Sequence, residues 1–362
     1  MQRILSLLAV SAILSACSTD LEINAPYKNI TVVEGLLNMR DSVQLIKINK
    51  AFLGDGDALI YAQVQDSSEW NAEAIEYARV VRRLNGQVVG TFDLRDTSVT
   101  DREPGTFYAP NQQLYYFVDN FRDSISLNTG GEASYVRLFL DDESEYSIEL
   151  RIKGEEVSAR TKVAGDFSFQ AADQAMNVPI NLVLGANFNA FELNWTSGLN
   201  GKRYVADYRF RYREVRNGEL GDVITLTRRL STVVKTSTGS EAMSTFMDGL
   251  RFYEDLASSI PNDPSVQQRK FLGIDFVVSV ANDDFHTYLS LTEPISSIIE
   301  DRPTFTNVEN GLGIFGSRYV KMITGKRLGN ASLNELANGD ITGHLRFCSA
   351  IPGDEISPHF CP

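Results

Sequence analysis

The stretch EYARVVRRLNGQVVGTFDL, Glu76–Leu94, sets the architecture. Two β-branched, alternating runs flank Asn85-Gly86, a dipeptide that accepts positive φ at both central positions of a tight hairpin turn. The same device recurs on either side. NITVVEGLL and SVQLIKINKAF alternate about the turn signal Asn38-Met39-Arg40-Asp41, which predicts a first hairpin. QQLYYFVDN and SEYSIELRIKGEEVSARTKV follow at similar intervals. Short strands with regular turns and no helical periodicity between them predict a mainly β protein.

Over residues 29–165 this pattern reads as a β-sandwich of immunoglobulin-like type, with a barrel or open sheet as the alternative. Alternation then fails in VAGDFSFQAADQAMNVPINLV, where Gly165 and Pro179 punctuate the chain, so a second domain is expected over 166–362. There, NAFELNWTSGLNGKRYVADYRFRYREVRNGEL places Trp195 on one strand and alternating Tyr204, Tyr208, Phe210 and Tyr212 on the next. This resembles a fibronectin type III sandwich, whose early tryptophan packs beneath a tyrosine-bearing strand. Helical insertions are expected as well. In SEAMSTFMDGLRFYEDLASSI, Met243, Phe246, Met247, Leu250, Tyr253, Leu256 and Ile260 recur at three- and four-residue steps, which predicts an amphipathic helix started near Ser240. KFLGIDFVVSVAND reads as a buried strand, and DDFHTYLSLTE as a second helix capped by Asn282 or Asp283.

The amino end carries an address. Arg3, the apolar run Ile4–Leu14 and the small Ser15 and Ala16 have the order of a secretory signal over residues 1–16. Leu14-Ser15-Ala16-Cys17 resembles the lipobox of bacterial lipoproteins, which implies acylation of Cys17 and a mature chain beginning there, with residues 17–28 as anchor and tether. Ser18 after the cysteine favours the outer membrane; Asp20 and Glu22 weakly resemble a surface-export tether, which leaves the periplasmic and outward faces both open. The formal charge of −13 argues against nucleic acid or an anionic membrane surface as partner, because both need a basic patch. With Cys17 lipidated, Cys348 and Cys361 remain as a pair that an oxidising compartment would join. Two unpaired thiols are the alternative, and metal binding with His359 is a further option, short of a fourth ligand.

The most distinctive segment is ISSIIEDRPTFTNVENGLGIFGSRY. It resembles the carboxyl-terminal signature of a family of Bacteroidota outer-membrane lipoproteins, domain of unknown function 4249, through Asn307, Glu309, Asn310, Gly311, Gly313, Phe315 and Gly316. The resemblance implies an accessory lipoprotein beside a TonB-dependent receptor, and no catalytic activity comes with it. Physically, Asn310-Gly311 and Gly313 suit a sharp turn, while Asn307 and Glu309 could serve a cation or bond the turn itself.

Catalytic signatures are missing. The chain holds no His-Glu-x-x-His, Gly-x-Ser-x-Gly or phosphate loop, and its three histidines, His286, His344 and His359, lie apart. No catalytic residue or cofactor is assigned. Acidic groups cluster at Asp55 and Asp57 and at Asp141, Asp142, Glu143 and Glu145, in a form that calcium or a solvated turn would each explain. Tyr115, Tyr116 and Phe117 must put one ring off a buried face, and Trp70, in EWNAEAIEY, is expected in an exposed loop. The expectation is a membrane-anchored, non-enzymatic binding or assembly module; the alternative is a glycan-binding protein or hydrolase using the acidic loops.

Overall fold

The computed structural model describes residues 29–51, 57–129, 132–293 and 304–362. The signal, Cys17 and its tether, Asp55 and residues 294–303 before the carboxyl-terminal signature lie outside the described residues. Strands predominate, as the alternation predicts.

The principal sheet has nine strands. Across it run β16 (Glu219–Val234), β15 (Arg203–Arg216), β18 (Val266–Ala281), β20 (Gly311–Lys326), β1 (Ile30–Leu37), β2 (Gln44–Ala51), β6 (Gln112–Phe117) and β5 (Arg95–Val99), with β21 (Phe347–Ser349) alongside β18. A second sheet has the order β19 (Val308–Glu309), β10 (Glu155–Lys162), β9 (Glu145–Ile152), β3 (Ile75–Leu84) and β4 (Gln87–Asp93). A third joins β11 (Ser168–Phe169), β14 (Ala190–Thr196) and β17 (Ala242–Asp248). Two small hairpins, β7 (Asp123–Thr129) with β8 (Glu132–Leu138) and β12 (Val183–Leu184) with β13 (Asn187–Phe188), complete the β structure among the described residues.

Local signals act as expected. Asn85 and Gly86 have φ of 51° and 78°, and the hairpin closes with Leu84 opposite Gln87. β1 and β2 pair from Ile30–Ala51 to Gly35–Ile46 around the predicted turn. Tyr204, Tyr208, Phe210 and Tyr212 are all buried along β15. Trp195 packs 6.0 Å from Tyr204 between ring centroids, while Phe191 of β14 stacks on Phe276 of β18 at 5.3 Å. On the other half of the large sheet, Phe117 of β6 meets Phe92 of β4 at 5.8 Å. The small sheets therefore cover the large one, and a single buried cluster runs from Val33 to Ile351.

The two halves are joined differently from tandem modules. β1 lies parallel to β20, from Thr31–Gly311 to Leu37–Ser317, so the large sheet takes strands from both sides of the boundary expected at 165/166. Buried Ser317 knits the junction: its hydroxyl donates to the Leu37 carbonyl at 2.9 Å and accepts from the Ala164 amide at 2.9 Å. Nor is the crossing after Val163 a free linker. Lys321 Nζ donates to both Asp166 carboxylate oxygens at 2.9 Å and to the Phe167 carbonyl at 2.6 Å. Five residues further along β20, buried Lys326 donates to the carbonyls of Ala175 and Val178 at 2.7 and 2.6 Å, beside the short helix α3 (Ala171–Gln174), which follows α1 (Ala58–Ala62) and α2 (Gln65–Ser68).

Two further sequence expectations need correction. The helix expected from Ser240 starts later: Met243, Thr245 and Met247 are buried on strand β17, Met243 opposite Trp195 and Met247 opposite Phe191, while Phe246 is 58% exposed. Helix α4 (Gly249–Ser259) follows, its amino end capped by Asp248 Oδ1 accepting from the Arg251 amide at 2.9 Å. A three- and four-residue spacing across a strand–helix junction imitates a longer helix. Trp70 is the second correction, being 5% exposed rather than on a free loop. Its indole N–H donates to the Asn49 carbonyl at 3.1 Å, because Glu69 bridges to Asn49 and draws the segment against β2. Helix α5 (Asp283–Thr292) does carry the expected Asn282 cap, and α6 (Asn330–Asn338) precedes the tail.

Candidate functional site: a polar groove beside the carboxyl-terminal turn

In β9 the even-numbered side chains, Tyr146, Ile148, Leu150 and Ile152, fill the core, so Glu145, Ser147 and Glu149 face outwards. Their neighbours follow from the register. Arg79 and Arg83 of β3 stand opposite Glu149 and Glu145, Ser158 and Arg160 of β10 opposite Glu149 and Ser147, and Glu309 of β19 opposite Ser158. Arg83, Glu145, Ser147, Glu149, Ser158, Arg160 and Glu309, with Asn307, line an open groove of about 300 Å³, and Arg79 braces Glu149 from beside it.

Its charges are ordered. Arg79 Nε and Nη2 donate to Glu149 Oε2 at 2.9 and 2.8 Å; Arg83 Nη2 donates to Glu149 Oε1 and Nη1 to Ser147 Oγ, both at 2.8 Å. Burial works to raise the Glu149 carboxyl, but the hydrogen bonds from Arg83 and Arg79 outweigh it and hold it below the usual carboxylate range. The far wall is looser. Ser158 Oγ donates to Glu309 Oε2 at 3.2 Å, and Arg160 Nη2 stands 4.0 Å from Glu309 Oε1 with both side chains mostly in solvent.

The signature residues divide between packing and groove. Asn307 grips β20, its amide donating to the Phe315 carbonyl at 2.8 Å and accepting from the Phe315 amide at 3.0 Å. Asn310, at φ 56°, donates to the Glu156 carbonyl at 3.0 Å. Gly311 and Gly313 pass against β1, where a Cβ would lie 2.8 Å from the Thr31 carbonyl oxygen and 2.0 Å from that of Val33. Only Glu309 points its functional group wholly into the groove, and it bonds Ser158 rather than its own turn.

The other sequence candidates are dispersed. Asp57 caps α1 through the Leu59 amide at 2.8 Å. Asp141 accepts from the Glu143 amide at 3.1 Å and the Ser144 hydroxyl at 2.6 Å, which spends its carboxylate inside its own turn. Burial, and then the neighbouring Asp141, push the Asp142 carboxyl up. Among the described residues no three His, Cys, Asp or Glu side chains converge to hold a metal ion. Half-buried His286 lies on α5, where burial and Arg203 lower it; His344 is exposed, and His359 Nδ1 accepts from the Asn338 amide at 3.2 Å. Tyr115 and Phe117 are buried and Tyr116 is the ring left half-exposed. The sulfurs of Cys348 and Cys361 lie at 1.95 Å with their Cα atoms 5.0 Å apart, a disulfide that ties β21 to the tail.

Arg79, Arg83, Ser147, Glu149, Ser158 and Arg160 were not singled out by sequence. Each occupies an outward position of an alternating strand, but what unites them is cross-strand register, which the alternation leaves unspecified. No family model matches the chain, and no curated protein matches it.

Proposed function

We propose that the chain is a lipoprotein anchored in the bacterial outer membrane through Cys17 and that its folded part is a non-enzymatic binding or assembly module. The lipobox and the resemblance carried by Asn307–Gly316 support the anchor, and they make a TonB-dependent receptor the first partner to test. The association with a receptor is by analogy with the family that the signature resembles.

The observation that carries the binding reading is the state of Glu149. A general acid needs a carboxyl held up toward neutrality. Glu149 is held down, with both oxygens bonded to guanidinium groups, so the groove presents fixed charge and hydroxyls to a polar surface. The exposed Arg160 and Glu309 are the groups free to exchange partners without disturbing the sheet.

Affinity purification from detergent-solubilised membranes tests the reading. An Arg160→Glu, Glu309→Arg double variant should lose a partner that the wild-type protein retains; an identical set of co-purifying proteins overturns the groove as the interface. Cys17→Ala tests the anchor separately. It should abolish palmitate labelling and outer-membrane fractionation, and unchanged labelling would remove the lipobox. Protease shaving of intact and lysed cells then distinguishes the outward from the periplasmic face.

A further inference from the structure

The start of β1, the end of β2 and the start of β6 share one end of the large sheet, because Ile30 stands opposite Ala51 and Ile46 opposite Tyr115 in antiparallel ladders. Two segments cap that end: residues 57–69, containing α1 and α2, and residues 100–111 between β5 and β6. They are latched together. The Tyr108 amide donates to the Ala62 carbonyl at 2.8 Å, and Gln63 Nε2 donates to the carbonyls of Gly105 and Thr106 at 2.7 and 2.8 Å.

The capped end turns apolar side chains outward. Leu59 is 65% exposed, Ile60 66%, Val64 47% and Phe107 52%. These four exposed apolar side chains are carried on two segments bonded to each other, rather than scattered singly over the surface. The first of the two segments is tied down where it ends, since Trp70 is buried and bonded to the Asn49 carbonyl. Arg102 lies over the Phe107 ring at 5.6 Å, between the exposed carboxylates Asp101 and Glu103, so the apolar side chains rather than a basic surface would make the contact.

The tether identifies what covers this patch. Residues 17–28 precede Asn29 and Ile30, so the chain leaves the fold at this same end. Even fully extended, a tether of that length reaches only about 40 Å. Acylated Cys17 would therefore hold this end of the fold within that distance of the bilayer. We infer that Leu59, Ile60, Val64 and Phe107 form a tip that enters the headgroup and acyl boundary of the membrane holding the Cys17 lipid. The protein then has two attachments, a covalent lipid and a shallow apolar contact, and the second fixes its orientation. This inference rests on the lipoprotein reading.

The test uses the full-length acylated protein reconstituted into phosphatidylethanolamine and phosphatidylglycerol vesicles, with and without lipids brominated in the acyl chain. A Phe107→Trp variant reports on the tip, because Trp70 and Trp195 are buried and stay out of reach of the bromines. The added indole should be quenched by the brominated lipids, and adding Leu59→Glu and Ile60→Glu should abolish quenching while the protein still floats with the vesicles. A protein that floats without quenching overturns the tip and leaves the anchor standing. One that does not float overturns the anchor, and the tip with it. A shift of the indole spectrum that follows protein concentration and not bromination would assign the patch to a second copy of the chain, which also overturns the membrane contact.

Discussion

Gly313 and Val33 face one another across the parallel pairing of β20 and β1, so closely that a Cβ on Gly313 would stand 2.0 Å from the Val33 carbonyl oxygen. The glycine also holds φ at +109°, where any other residue is strained. Gly313→Ala should therefore cost at least about 3 kcal/mol, the sum of backbone strain and overpacking at one site. Gly86→Ala is the control. Its φ is +78° but a Cβ there meets nothing within 4 Å, so about 1 kcal/mol is expected. Urea midpoints for the two variants decide whether contact or conformation dominates.

Arg269 is wholly buried and holds three parts of the chain. It donates to Glu214 Oε1 of β15 at 3.1 Å and to the carbonyls of Leu345 and Pro261 at 2.8 Å each. Arg269→Met removes the charge and leaves two carbonyls and part of Glu214 without a donor, which should cost about 3 kcal/mol or more. Arg269→Lys should fall between, since a point charge cannot reach all three acceptors. The midpoint of denaturant unfolding should move while its slope stays unchanged.

Lys326 gives the stability a dependence on alkaline pH. Burial lowers its ammonium to about 8, against a partial restoring effect from Asp173. In the unfolded chain the group keeps its ordinary value near 10.5, so between these values the unfolded state binds more protons and stability from this group rises with pH. Lys326→Met should remove that rise, at most about 1.4 kcal/mol per pH unit. The difference in unfolding free energy between wild type and variant, measured from pH 7 to 10.5, should drift in favour of the wild type through this window and stay flat below pH 8.

The paired Cys348 and Cys361 make a prediction for the mature protein. If Cys17 carries the proposed lipid as a thioether, no thiol should react with an alkylating reagent until the protein is reduced. Two alkylated cysteines in the unreduced protein would remove both the bridge and the argument for an oxidising compartment. Cys361→Ser should lower stability by about 2 kcal/mol, because the loop closed is short and the Cys361 amide still donates to the Ser349 carbonyl at 2.8 Å.

Much of the fold was legible wherever a few neighbouring residues decide the outcome. Asn85-Gly86 marks its hairpin by the φ values those residues accept, Asn282 marks the start of α5 by its capping side chain, and the spacing of Tyr204 to Tyr212 marks one buried face of a strand. The same reading overran at Met243–Met247, since residues three and four apart suit both a helix stripe and one face of a strand running into a helix. Trp70 was misplaced because its burial depends on the Asn49–Glu69 bridge.

By itself, then, the sequence determined the β class, the hairpins and the aromatic stripe of β15, while it left the pairing of Cys348 with Cys361 as one option among others. Only the tertiary structure decided that β1 lies against β20, that Lys321 and Lys326 pin the crossing segment, and that Arg83, Glu149, Arg160 and Glu309 share one groove. Leu37 and Ser317 are bonded across 280 residues of chain. Turn propensity and alternation act over a few residues, whereas the entropy of closing a loop changes slowly with its length, so chain distance carries almost no information about which strands meet. Burial of the whole sheet makes that choice, and the groove exists only once it has been made.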